Sequence, residues 1–407
     1  MQDEKYRYRL KWILVCLHAG WLVVLTVFFQ YINLVRLDEF AFYRLFSVIR
    51  DDLFHKDNKP LAGDFVFLDV SRDLELAQDT SRTAYDSSGG LPGSQIVLTN
   101  RLKLARFFSQ LAQERINYRY LICDLSFDIP SVNDTILRPV IEKTPRLLVA
   151  ASSVGEIPEP PLFKVAYAGV IYQASEGNFV KLPIFYNDSI KSLPAVMAET
   201  TGQKRYTRYG PITLENGHPA FNTFVPELYF RPDDLVLEGS KANCWNLGEI
   251  IRLPTFARTL RDKYIVIGNF ATDRHTTYLG SIPGPLIIVN AFLTLREKSL
   301  IPAGQWLLLL FVVYGALSYL LFFRPEWEWK KVQEKIKVKF MVGVIKKYLS
   351  YAGLLLLLDL VSYLFFRNFI SLFYIVTYLT ALSTILEKVR EYRGKKNLWV
   401  FIKEELL

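Results

Sequence analysis

Histidine, cysteine and methionine are scarce in this chain: 407 residues contain four His, three Cys and three Met. The histidines, His18, His55, His218 and His275, lie far apart, and none has a recognisable nucleophile beside it. The chain also lacks the G-x-S-x-G and H-E-x-x-H patterns of hydrolases and metalloproteases. No G-x-G-x-x-G or P-loop lysine pattern occurs; Ser87-Ser-Gly-Gly-Leu-Pro-Gly93 is glycine-rich and precedes a helical pattern but fits neither. These absences leave catalysis unsupported, and no cofactor is expected. Cys16 lies in an apolar run, so only Cys123 and Cys244 are placed to pair across a soluble domain, and Cys123 reads as a buried thiol in a core strand.

What the chain has in excess is hydrophobic residues, at 51%, with a mean hydropathy of +0.16. The excess is concentrated near the two ends. Trp12 to Val35 carries no Asp, Glu, Lys or Arg and is long enough to cross a hydrocarbon core of roughly 30 Å. No small-residue cleavage site follows it, so it reads as an uncleaved anchor. Three further runs follow, Gln305 to Phe323, Tyr348 to Phe366 and Phe369 to Leu386, the last two separated by little more than Arg367 and Asn368.

The formal charge of +9 sits beside these runs rather than on one soluble module, which points to membrane orientation and away from nucleic acid. Lys and Arg cluster in residues 1–11, in 324–347 and in 387–407, so all three segments are expected in the cytoplasm. Four spans with both ends inside place residues 36–304 outside.

Between the second and third spans, Trp329, Val332, Ile336, Phe340 and Val344 recur at helical spacing, with Lys330, Lys331, Lys335, Lys337 and Lys339 among them. This reads as an amphipathic helix on the inner leaflet, a solvated basic linker or a partner-binding helix. His18 and Asp359 are the polar residues that stand out inside spans. An acid at that depth is a functional candidate, or fixes helix packing when bonded to His18 or to a hydroxyl such as Ser362.

In the outer domain, Leu37, Phe40, Ala41, Leu45, Val48 and Ile49 mark one helix face leading away from the membrane. Phe65–Val70, Tyr120–Asp124 and Arg146–Ser152 are short apolar runs typical of buried strands, alternating with helical patterns at Thr99–Arg115 and Asn133–Lys143. This β-α-β-α-β order predicts an α/β domain with a mainly parallel sheet, joined by a strand at Lys263–Gly268 and a helix at Pro285–Glu297. Asp69, Asp124 and Asp273 lie at or after strand ends, where open α/β sheets bind ligands. Converging, with Asp128, they would hold a cation or cationic ligand; singly, each would cap a turn.

Several of these residues resemble the CHASE2 family of extracytoplasmic sensory domains. The resemblance rests on Asp124-Leu-Ser-Phe127 followed by Asn133-Asp134-x-x-Leu137, on Lys263-Tyr-Ile-Val-Ile-Gly268 with Asp273, and on Pro283-Gly284 running through Asn290-Ala291 to Leu295. One span before the domain and three after it fit the same family. The resemblance implies a sensor in a bacterial cytoplasmic (inner) membrane. Such domains commonly precede a cytoplasmic output enzyme, whereas Glu387–Leu407 is too short for one, so the expected partner is a separate protein or a second copy. The leading expectation is a non-catalytic sensor or scaffold. A membrane enzyme using the strand-end aspartates and a structural subunit of a membrane complex are the alternatives.

Overall fold

The computed structural model describes residues 2–31, 45–46, 49, 63–78, 95–127, 129–151, 162–169, 178–179, 181–187, 190–202, 204–237, 242–277, 280–323 and 340–394. The chain divides into two compact units, one built from Phe54–Ile301 and one from the two ends.

The Phe54–Ile301 unit is organised by a six-stranded sheet of β1 (Phe65–Asp69), β2 (Tyr120–Cys123), β3 (Leu147–Ala151), β4 (Ala166–Gly169), β5 (Cys244–Asn246) and β6 (Tyr264–Gly268). The order across the sheet is β5-β1-β6-β2-β3-β4, and every neighbouring pair is parallel. Parallel strands need crossovers, and helices supply most of them here. Alternate strand residues face opposite sides, so Phe65, Phe67 and Ile122 pack under the helices Leu193–Thr201 and Gly284–Glu297. Val66, Leu68, Leu121, Cys123 and Ile267 pack on the other face under Arg101–Gln113, Asp134–Ile141, Leu247–Ile250 and Phe256–Leu260. Both faces are thus apolar, which is why these strands read as continuous hydrophobic runs.

Two features depart from the expected β-α-β-α-β order. An antiparallel hairpin, Leu74–Gln78 with Gln95–Thr99, is inserted between β1 and the first crossover helix. Further on, the segment that carries little periodicity folds a small antiparallel sheet of Tyr206–Tyr209, Ile212–Glu215 and His218–Ala220. Its second turn is Asn216–Gly217, both with positive φ, as a two-residue hairpin turn requires.

The helix Gly284–Glu297 is almost entirely buried. Asn290 fastens it to the chain beside it: its Oδ1 accepts from the amides of Tyr229 at 2.9 Å and Phe230 at 2.8 Å, and its Nδ2 donates to Phe230 O at 2.9 Å. Lys204 donates to the carbonyls of Leu295 and Lys298 at the helix's C-terminal end, where those groups lack intrahelical partners. Glu215 accepts from Leu300 N at 2.7 Å. The chain is therefore held within this unit as far as Leu300.

In the other unit, helices span Gln2–Tyr31, Gly304–Phe323, Phe340–Phe366 and Leu372–Gly394. Among the described residues three stretches are long and apolar enough to cross a membrane, Lys11–Gln30, Gly304–Phe323 and Leu372–Val389; Tyr351–Phe366 is a shorter apolar helix. Residues 340–347, expected in the basic segment, begin the same helix that continues to Phe366. Trp329, Lys330, Lys331, Lys335, Lys337 and Lys339 lie outside the described residues, as do Leu37, Phe40, Ala41 and Val48. Phe46 stacks on Phe369 at 6.3 Å, so this residue packs within the unit built from the two ends.

His18 and Asp359, the polar residues singled out in the apolar helices, are each paired, though not with each other. His18 Nδ1 lies 2.7 Å from Ser318 Oγ, and Thr26 Oγ1 lies 2.7 Å from Tyr314 OH, two ties between the first helix and Gly304–Phe323. Asp359 Oδ1 accepts from the backbone amide of Ile370 at 2.6 Å, instead of bonding to His18 or Ser362. Arg367 takes the left-handed conformation at φ 57°, closing the helix, and the turn folds back so that Phe369 and Ile370 are buried. Irregular backbone within a membrane protein needs such internal partners.

Replacing Asn290 by Ala removes three hydrogen bonds and strands two amides and a carbonyl in the core. We expect Asn290→Ala to cost about 3 kcal/mol, read as a lowered denaturation midpoint of the detergent-solubilised protein, whereas Arg258→Ala on a peripheral helix leaves the midpoint unchanged.

Candidate functional site

The carboxyl ends of β1, β6 and β2 lie side by side at the centre of the sheet. Their exits are cross-linked through β6: Val70 N donates to Gly268 O at 3.0 Å and Asp124 N to Ile267 O at 2.8 Å. The crevice outside such strand ends is where open parallel sheets place ligands.

Asp124 and Asp273 come together here, and they bring His275 with them. Asp273 and His275 are joined by an Oδ1–Nε2 contact of 2.8 Å. His275 sits two residues beyond Asp273, in the strand Arg274–Thr277 that pairs antiparallel with Gly280–Pro283. Asp273 O also accepts from Gly284 N at 2.8 Å, which fixes the start of the buried helix Gly284–Glu297. A Cβ on Gly284 would fall 2.4 Å from an Asp273 carboxylate oxygen and 3.3 Å from His275 Nε2. A Cβ on Gly268 would lie 2.3 Å from the Pro285 ring and 3.5 Å from Asp124 Cβ. Glycine at these two positions lets the helix start close against the carboxylates.

The electrostatics follow from that crowding. Burial, and then the charge of Asp273, push the Asp124 carboxyl up to about 7, while His275 pulls it down. His275 is raised above its ordinary value, chiefly by its hydrogen bond to Asp273, with Asp124 adding to the effect. A carboxyl raised to about 7 beside an imidazole raised by its carboxylate partner is suited to binding and releasing protons.

Asp69 is not part of this group. Its carboxylate accepts from Ser71 N at 3.0 Å, from Ser71 Oγ at 2.7 Å and from Phe270 N at 3.1 Å, so it caps its own turn and pins the loop after β6. Asp128 lies outside the described residues. Among the described residues no three His, Cys, Asp or Glu side chains are arranged to hold a metal ion. Of the expected carboxylates among the described residues, Asp124 and Asp273 come together, and Asp273 carries a histidine. Cys123 and Cys244 are both free thiols, and burial raises the Cys244 thiol to about 12.

A second polar group lies beside the hairpin. The Arg101 guanidinium is 1% exposed, lies 4.3 Å from the Phe127 ring centre and pairs with Asp134 at 3.4 Å. Glu75 accepts from Ser131 Oγ at 2.5 Å, from Asn133 Nδ2 at 3.1 Å and from Arg101 N at 3.1 Å. Nearby, Asp73 accepts from Gly248 N at 3.0 Å and pairs with Lys103. These bonds tie the hairpin to the helices below it and account for Asp134 as a structural residue.

Asp124 gives a pH signature. Its folded value of about 7 lies above the ordinary 3.8, so between those values the folded state holds a proton that the unfolded state has lost. That contribution to stability is complete below about pH 4 and disappears as pH rises through 7. Asp124→Asn keeps the neutral shape at every pH. We expect the variant to match the wild type near pH 4 and to exceed it at pH 8 by on the order of 2 kcal/mol, after discounting the full shift for solvent screening. Thermal melting of both proteins across that range is the measurement, and parallel curves refute the assignment.

No protein-family model, curated protein or solved structure matches this chain.

Proposed function

We propose that the protein is a membrane-anchored sensor whose α/β domain lies outside the cytoplasm and whose helices pass its state to a cytoplasmic effector. One observation carries the reading: the buried helix Gly284–Glu297 starts against Asp273 and ends, through residues 298–303, at the membrane-length helix Gly304–Phe323. A change at the crevice that moves this helix has a direct covalent route to a span. Signalling then requires that whatever binds the crevice prefer one seating of the helix over the other.

The placement outside rests on charge. Arg and Lys gather in the N-terminal tail, in residues 324–347 and in residues 387–407, so four crossings with all three clusters inside satisfy the positive-inside pattern. In this reading Tyr348–Phe366, the apolar part of the helix that begins at Phe340, makes the third crossing and Phe369–Leu386 the fourth, in a bacterial cytoplasmic membrane. The CHASE2-like residues fit the same account. Asp124, Asp273 and Gly284 line the crevice, and Asn290 secures the helix that leaves it.

The raised carboxyl of Asp124 beside the Asp273–His275 pair favours a second reading, proton-transfer catalysis at the same crevice.

Added-cysteine variants in a Cys16→Ser background, where the remaining Cys123 and Cys244 are buried, locate the domain: Arg258→Cys is expected to react with an impermeant maleimide in intact cells, and Lys388→Cys only after lysis. For the effector, affinity purification from native membranes is expected to recover a signalling protein in stoichiometric amount. A protein that is reproducibly solitary refutes the sensor reading. Turnover of any substrate that Asp124→Asn abolishes without loss of folding supports the enzyme instead.

A further inference from the structure

Asp124, Asp273 and His275 have a physical consequence beyond ligand contact. The N-cap of the helix Gly284–Glu297 is Pro283, which makes no side-chain cap, and Pro285 has no amide to offer. The bond from Gly284 N to Asp273 O therefore anchors the helix start, and the position of Asp273 sets where the helix begins. Asp273 is held on one side by His275 and faces Asp124 on the other. With Asp124 protonated and the imidazolium paired to Asp273, the three side chains sum to zero charge. With Asp124 ionised, two carboxylates share a close-packed site with a single histidine, which is bonded to Asp273.

We infer that Asp124, Asp273 and His275 form a proton-binding site that seats the start of the helix Gly284–Glu297 when occupied and loosens it when empty. The inference rests on the sensor reading for its purpose, because it makes the proton concentration outside the membrane the quantity sensed. Other charges bordering the site are committed elsewhere. Asp69 is bound by Ser71 and Phe270, and Arg101 is paired with Asp134 across the neighbouring strand exit. The titration of Asp124 near 7 and the raised imidazole of His275 place the transition close to neutral pH.

Hydrogen exchange of the full-length protein in lipid nanodiscs tests this directly. Peptides covering residues 284–289 are followed from pH 5.5 to 8.5 after correction for intrinsic exchange. The expected result is a fall in protection with a midpoint near pH 7, absent from peptides covering β3. Asp124→Asn should retain the high-protection pattern at all pH values. His275→Gln, at a partly exposed position, should shift the midpoint upward, because the imidazolium favours the ionised form of Asp124. Uniform protection in the wild type, or a step that persists unshifted in both variants, overturns the inference. The readout needs no effector, so it fails independently of the co-purification that tests the sensor reading.

Discussion

The α/β unit depends on one pairing. The strand β6, late in the chain, inserts between β1 and β2, two strands that precede it by well over a hundred residues. All five of its residues are buried, and they supply apolar surface to both faces of the sheet. Without it β1, paired only to β5, and β2, paired only to β3, would each present an open edge at the centre of the domain. With it, the exits of β1 and β2 are bonded to its last two carbonyls, and Asp69 and Asp124 are held on either side of Gly268. The chain that follows returns Asp273 and His275 to the same edge and, after the paired strands Arg274–Thr277 and Gly280–Pro283, enters the helix Gly284–Glu297. Strand order, crevice and outgoing helix are thus consequences of one insertion.

The elements around this insertion were readable because both sides of a parallel sheet are buried. Phe65–Asp69, Tyr120–Cys123, Leu147–Ala151 and Tyr264–Gly268 are apolar runs bounded by polar residues, and each forms a strand close to its expected limits. The position of β6 between β1 and β2 was not readable, since hydrophobic pattern specifies that a strand is buried and not which neighbour it takes. The antiparallel sheet around Asn216–Gly217 carried a local signal, an Asn-Gly pair between two alternating segments, that the aromatic and proline content of its surroundings obscured.

The site was legible in part for a related reason. A strand-end aspartate is equally a ligand and a turn cap, and Ser71, two residues after Asp69, marked the cap. His275 was overlooked because it was judged against distant nucleophiles. Its spacing of two from Asp273 was the better guide, since alternate residues of an extended segment share a face. Asp359 illustrates the limit of side-chain reasoning: its partner is the Ile370 backbone amide, which no residue type announces. His18, Thr26, Tyr314 and Ser318 pair between two helices in a manner that fixes register at modest energy, because polar contacts of this kind contribute only about 1 kcal/mol each within a bilayer.

The bond from Asp359 to Ile370 also says something about how the last two helices come together. The two residues are close in sequence, and closing a loop of about ten residues takes on the order of 10–100 ns. The turn at Arg367 can therefore form while either helix is still without other neighbours, and the acid finds a hydrogen-bond donor within its own hairpin before any distant segment is needed. The pair Phe340–Phe366 and Leu372–Gly394 is in this sense self-sufficient, an assembly step that does not wait for the rest of the chain.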